Sequence, residues 1–220
     1  DLAFTTDHWD PSISPSVAAF VVLRDEHAER CVIVGNTHFQ SRWWAAAVKA
    51  HQMLAFKATA VALRDEFPEC PVVLCGDYNT RPILPGYAMM IKDEERINDD
   101  AFWDELARSE AEILKKGETK ELLRVSSADW SALRKQCAAM PPARNQMPIE
   151  GRISHKTHKF HGLLDHIFTI PAKDGTELVY QHNPEYDLPT EEQLWYIPDR
   201  EEGSDHVPVI AEFKFVKRQE

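Results

Sequence analysis

The chain has 220 residues, 43% of them hydrophobic and 10% aromatic, and its 25 Lys and Arg against 36 Asp and Glu give a net charge of -11. That length supports one sizeable core rather than two independent domains, and the composition is not that of a disordered or low-complexity chain. The acidic balance disfavours a scaffold that grips nucleic acid by backbone neutralisation, but not a metal enzyme, whose bound cations offset carboxylates and engage phosphates.

The sequence starts at Asp1 without Met and without a charged-then-apolar leader, which predicts that a segment upstream has been removed. Residues 17–23, VAAFVVL, read as a buried strand, and the charged run RDEHAER turns the chain into a second strand over 31–35, CVIVG. The longest helical candidate covers 43–66, with Ala46, Ala50, Met53, Leu54, Ala58, Val61 and Ala62 recurring at helical spacing. Pro68 and Pro71 close it, and 71–75, PVVLC, forms a third strand. Gly76 to Pro85 is a polar loop punctuated by Pro.

Residues 86–150 differ in character and predict a variable, mostly helical insert, with helices near 99–116 and 127–139 before the loop MPPARNQMP. Residues 163–170, LLDHIFTI, and 207–215, VPVIAEFKF, read as the last strands, separated by irregular segments around Gly175 and over 184–198. This order is that of α/β layers. Cys31, Cys70, Cys75 and Cys137 have no metal-site spacing and read as small buried hydrophobes, so a reduced setting without disulfides is expected. No apolar run is long enough to span a bilayer.

Four short segments place polar groups at strand ends: Asn36-Thr37-His38, Gly76-Asp77-Tyr78-Asn79, Asp165-His166 and Ser204-Asp205-His206. Each has an ordinary reading as a turn, a cap or a hydrogen-bonded core edge. Together they have a chemical one. Asp77 and Asn79 lie two apart, so an extended segment points both to one face, where a carboxylate and a carboxamide share a hard cation or its water. Asp205 adds a second carboxylate, and His206 a group that exchanges protons near neutrality. Asp165 could orient that imidazole. An oxygen-rich set with few imidazoles suits Mg2+ or Mn2+ better than Zn2+.

NTHF at 36–39, GDYNTRP at 76–82, LLDHIF at 163–168 and SDHVP at 204–208 resemble, in order and spacing, the late signatures of the endonuclease/exonuclease/phosphatase superfamily. CPVVLCGDYNTRPILPGY at 70–87, THKFHGLLDHIFTIP at 157–171 and WYIPDREEGSDHVPVIAEF at 195–213 resemble most its poly(A)-deadenylase branch, with the nocturnin-like, Angel-like and 2'-phosphodiesterase proteins. Gln52 in the long helix fits the same branch. The resemblance implies a four-layer α/β/β/α sandwich of the deoxyribonuclease type whose N-terminal part, with a metal-binding Glu, lies outside this chain. The 220 residues would then be one partial domain with 86–150 as its insert.

Carried over residue by residue, the resemblance puts His38 on the scissile phosphate. Asp77 positions or deprotonates the attacking water, and Asn79 holds phosphate or metal-bound water. Asp205 becomes a metal-side carboxylate. His206, paired with Asp165, stabilises the transition state or relays a proton, and Asn36 supports His38. The metal set is Asp205, Asp77 and Asn79, with Mg2+ or Mn2+. The implied activity is hydrolysis of RNA by a 3'-5' exoribonuclease of deadenylase type, inside the cell in the cytoplasm or an organelle. Two alternatives stay open: an inactive structural subunit with the same fold, and a phosphatase or phosphodiesterase on a small phosphorylated substrate. One residue departs from the branch, since His166 stands where Tyr is usual. The missing half, or a neighbouring chain, is expected to cover apolar surface on one sheet. Trp43, Trp44 and Tyr87 are candidates for base stacking or for core, and Phe102–Trp103 for an interface.

Overall fold

A computed structural model describes residues 17–27, 29–42, 45–115, 129–194, 197 and 204–217. Strand β1 (Val17–Asp25) runs antiparallel to β2 (Arg30–His38), and helix α1 (Ala46–Glu66) carries the chain back to β3 (Val72–Asp77), which lies parallel to β2. Helices α2 (Pro85–Ile91), α3 (Glu94–Asn98), α4 (Asp100–Lys115) and α5 (Trp130–Ala139) follow, then the short hairpin β4 (His155–Lys156) and β5 (His161–Gly162). Strand β6 (Asp165–Ile170) pairs antiparallel with β3, completing a four-stranded sheet in the order β1-β2-β3-β6. A second sheet pairs β7 (Thr176–Gln181) with β8 (Glu212–Lys217). The result is a mixed α/β architecture, a four-stranded mixed sheet with α1 packed on one face and a separate two-stranded sheet.

Alternation along the strands decides what each face meets. Cys31, Ile33 and Thr37 of β2, Val72 and Leu74 of β3, and His166, Phe168 and Ile170 of β6 are buried on the helix side, where Met53, Phe56, Ala60 and Leu63 of α1 pack on them. Ala50 and Leu54 on the far side of α1 meet Met89, Ile97, Phe102, Trp103, Leu106 and Cys137. A helix covered on two sides explains why Phe56 and Ala60 join the core although they fall outside the single apolar stripe read from the sequence. Phe102 and Trp103 are core residues, and the Trp103 indole N–H donates to Ile97 O at 2.7 Å. Tyr87 is buried against His166 and Phe168. Trp43 and Trp44 lie outside the described residues, as do 116–128.

Lys57 is fully buried in α1 and donates to the carbonyls of Met89 and Met90 at 2.9 and 2.8 Å. These carbonyls end α2, so an ammonium caps a helix C-terminus from inside the core. Burial holds its pKa down at about 8.

Three expectations are corrected. Cys31 and Cys70 form a disulfide. The register Ile33↔Val72 and the bond from Ile33 N–H to Pro71 O bring the start of β2 beside the approach to β3, a closeness invisible in the spacing of the cysteines. Residues 17–23 are buried on one face only: Ala18, Phe20 and Val22 face the core, whereas Val17, Val21 and Leu23 are 54%, 48% and 51% exposed. The last strand begins at Glu212 rather than at 207, because Val207 N–H is taken by Ser154 O and Pro208 has no N–H to give a ladder. Among the described residues, no helix is long and apolar enough to cross a membrane.

Candidate functional site

Sheet register assembles the site. His38 pairs with Asp77 across the parallel ladder, and Asp77 pairs with Asp165 across the antiparallel one, so one rung at the sheet's end carries all three residues. The strands alternate in phase, which turns these side chains away from the helix-covered core. Close approach of β2 and β3 at this end depends on Gly76. Its φ is +132°, and a Cβ there would stand 2.0 Å from Thr37 O.

Beyond β3 the chain turns at once. Asp77 Oδ1 accepts from Asn79 N–H at 2.7 Å, the Asx-type turn that the sequence allowed, and Asn79 takes a left-handed φ of 48°. Asn79 Nδ2 donates to Asp77 Oδ2 at 3.2 Å and to Phe39 O at 2.9 Å, which leaves its carboxamide oxygen for other partners. The buried Lys49 ammonium donates to Asn79 O at 2.8 Å and fixes the turn from below; burial lowers its pKa to about 8 against the opposing pull of Asp77. The periodicity of α1 gave no sign of Lys49, because a lysine at a core-facing position reads as an interruption.

His206 arrives from the C-terminal segment. Its backbone bridges to His155 of β4, and Val207 N–H donates to Ser154 O at 2.8 Å. Nδ1 lies 2.7 Å from Asp165 Oδ2, while Nε2 is 3.7 Å from Asp77 Oδ2. His38 Nε2 is 3.4 Å from the same Asp77 oxygen. Asp165 is itself held: Ser154 Oγ donates to its Oδ2 at 2.6 Å and accepts the N–H groups of Leu164 and Asp165 at 3.0 and 3.1 Å. Ser154 is fully buried, and its place directly before the polar hairpin β4–β5 carries no distinguishing sequence pattern.

The electrostatics follow from this packing. Burial pushes the Asp77 carboxyl up, helped by the Asp165 carboxylate and opposed by the Asn79 N–H and by His206 and His38. The hydrogen bond to Asp165 raises His206, against its partial burial. A half-buried carboxylate held above its ordinary range and an imidazole biased towards its charged form face one another, an arrangement suited to moving or holding a proton.

Other expected residues fall as follows. Asn36 lies on the His38 face and accepts from Cys75 Sγ at 4.0 Å. Asp205 Oδ2 is 3.3 Å from His155 Nε2, a residue the sequence reading passed over. Among the described residues, donor atoms of Asp77, Asp165 and His206 all lie within 4.8 Å of one another, and so do those of His155, Asp205 and His206. Asp205 is thus grouped with two imidazoles, and His206 joins that group to the Asp77 one. His166 belongs to neither; its Nε2–H donates to Thr80 O at 2.8 Å in the core, and burial lowers its pKa to about 4.

No family model matches the sequence. Carbon catabolite repressor protein 4 homolog 3 of Arabidopsis thaliana is 25% identical over 228 residues, covering 90% of this chain and 49% of that protein. The chain therefore spans about half the length of the curated relative it matches. Two crystal structures of ANGEL2, described as a 2',3'-cyclic phosphatase, share the fold. The complex with adenosine-2',3'-vanadate has a TM-score of 0.57 at 18% identity, covering 93% of this chain and 64% of that one. The other has a TM-score of 0.58 at 16% identity, covering 90% and 60%. The chain shares the fold of these ANGEL2 structures.

Proposed function

We propose that this chain, which carries the endonuclease/exonuclease/phosphatase fold, holds most of the active site of a divalent-metal phosphodiesterase that hydrolyses RNA from its 3' end, in the manner of a deadenylase. One observation carries the reading: His38, Asp77 and Asp165 share a rung of the sheet, and His206 closes over them with one nitrogen on Asp165 and the other towards Asp77.

The donor set fits a hard cation. The Asp77 and Asp205 carboxylates and the free oxygen of Asn79 are the atoms Mg2+ or Mn2+ selects, and a carboxyl pushed up by burial is one whose charge a cation would offset. When bound, the ion supplies positive charge at a phosphate oxygen. Asp77, Asn79 and Asp205 would hold it, together with a Glu from outside these residues. In this reading Asp77 orients the attacking water and takes its proton, and Lys49 holds the turn that aims it. His38, exposed at the rim, meets the phosphate. His206, charged and fixed by Asp165 and Ser154, faces the developing negative charge with Nε2. Such preorganised donors work by position rather than by strength.

The test is cleavage by the full-length protein with Mg2+, on labelled oligo(A), mixed-sequence RNA, 2',5'-linked RNA, RNA ending in a 2',3'-cyclic phosphate, DNA and small phosphorylated metabolites. Stepwise shortening of 3' adenylates, reduced about 10²–10⁴-fold in Asp77→Asn and His206→Ala, is expected. Turnover of small phosphates alone would replace the substrate assignment. Cleavage of none would leave a fold retained as a structural subunit.

A further inference from the structure

We propose that Arg81 and Lys159, the latter at the tip of the β4–β5 hairpin, form a cationic lip that takes phosphates of an RNA strand other than the one being cut, so that the site favours a polynucleotide over a small phosphate ester. The place of the cut rests on the hydrolytic reading; the evidence for the lip lies outside the residues assigned to catalysis.

The sequence concentrates positive charge here against its overall balance. The chain carries -11, yet residues 151–164 contain no Asp or Glu and include Arg152, Lys156, Lys159 and three histidines. An acidic protein takes up a polyanion only where cations are gathered locally. Part of this set is committed within the fold. Arg152 pairs with Asp187, His161 pairs with Glu191, and Lys156 Nζ donates to Glu191 O. Arg81 and Lys159 are different: both are exposed, and neither has an ion-pair partner among the described residues.

The fold holds both cations beside the site. Thr157 N–H donates to Phe160 O at 2.7 Å, and Thr157 Oγ1 accepts from the N–H groups of Lys159 and Phe160 at 3.3 and 3.2 Å. His158 and Lys159 are thereby the tip of a tight turn. The Phe160 ring lies 5.5 Å from that of His155, which lies 4.7 Å from that of His206. Arg81 comes from the loop just beyond Asn79. A Cβ on Gly162 would meet Phe160 Cζ at 3.2 Å and Arg81 Cδ at 3.3 Å, so the arginine stem and the Phe160 ring lie together over this glycine. The lip therefore runs from the Asn79 turn to the hairpin. Its guanidinium and ammonium can engage a phosphate backbone without breaking an ion pair of the fold.

Binding tests this separately from hydrolysis. The full-length protein is titrated with labelled oligo(A) carrying phosphorothioate linkages, which resist cleavage, and the anisotropy is read across a range of salt concentrations. Arg81→Ala and Lys159→Ala should each weaken binding about 2–5-fold and each flatten the slope of log Kd against log salt by about 0.7. Arg81→Lys should keep the slope. Lys135→Ala, which removes the same charge from an exposed position on α5, should change neither quantity. A parent protein that does not bind the strand, slopes unmoved in Arg81→Ala and Lys159→Ala, or an equal loss in Lys135→Ala would each overturn the lip. On cleavable oligo(A) with Mg2+, the two substitutions should raise KM more than they lower kcat. Slopes that flatten as expected in a protein that cleaves nothing would sink the hydrolytic reading and keep the lip.

Discussion

His38 Nε2 stands 3.4 Å from Asp77 Oδ2 across the β2–β3 ladder, and the two residues are separated in sequence by the same 39 positions as Cys31 and Cys70. The disulfide and the site pair are therefore two rungs of one register, at opposite ends of the same two strands. A slip of one residue would turn His38 into the core, and the disulfide forbids it. The double variant Cys31→Ser, Cys70→Ser should lose about 4 kcal/mol of stability by loop closure alone. Denaturant unfolding of variant and parent, each with and without reductant, measures this; equal midpoints for all four would remove the cross-link from the account.

Replacing Asp165 with Asn should lower the His206 pKa, since the bond to the Asp165 carboxylate is the main cause of its elevation. Ser154→Ala should act in the same direction more weakly, by freeing Asp165, and should cost about 1–3 kcal/mol for the two N–H groups left without an acceptor. NMR titration of the His206 ring in metal-free protein reads both effects. An unmoved midpoint in Asp165→Asn would show that the 2.7 Å contact does not persist in solution.

His166 should make the protein acid-labile. Its folded pKa is depressed from 6.5 to about 4, so between those values the unfolded chain binds the extra proton and stability falls as the pH falls. The loss approaches about 3 kcal/mol by pH 4. His166→Phe keeps the ring among Tyr78, Tyr87 and Phe168 and should lose this slope, at a neutral-pH cost of about 1 kcal/mol for the bond to Thr80. Unfolding free energies of the two proteins from pH 4 to 7 decide it: parallel curves would mean that His166 is not buried in solution.

Lys57→Met should destabilise the fold by about 1–3 kcal/mol at neutral pH, because Met89 O and Met90 O lose a buried donor. Lys57 has a folded pKa lowered from 10.5 to about 8, so its charge costs stability below pH 8 and that cost fades as the pH rises to 10.5. The parent should therefore gain on the variant across that window, by up to about 3 kcal/mol. A difference that stays constant between pH 7.5 and 10 would place the ammonium in solvent.

What the sequence made legible was whatever lies on one strand or one turn. Asp77 and Asn79 read as a pair from their spacing of two on an extended segment, although the structure joins them through a turn instead, and the strands around Ile33, Leu74 and Phe168 read as strands because each is a short apolar run between polar breaks. Contacts that depend on two distant segments were not legible. Nothing local announces that Cys31 meets Cys70, that Ser154 steadies Asp165, or that Asp205 lies beside His155. Lys49 and Lys57 illustrate the same limit from the other side. An ammonium is admitted to a core by carbonyls that another segment leaves unpaired, and those carbonyls have no sequence signature.

Gly76 brings a last consequence. With a Cβ there only 2.0 Å from Thr37 O, the glycine before Asp77 acts as a feeler gauge, admitting β2 to a clearance that a single methyl group would close. Any other residue at this position must pry the two strands apart at the Thr37 rung, next to the one that carries His38 and Asp77, while both of those side chains remain chemically intact. Damage of that kind would look like loss of a reactive group in an assay and like nothing at all in a tally of catalytic residues.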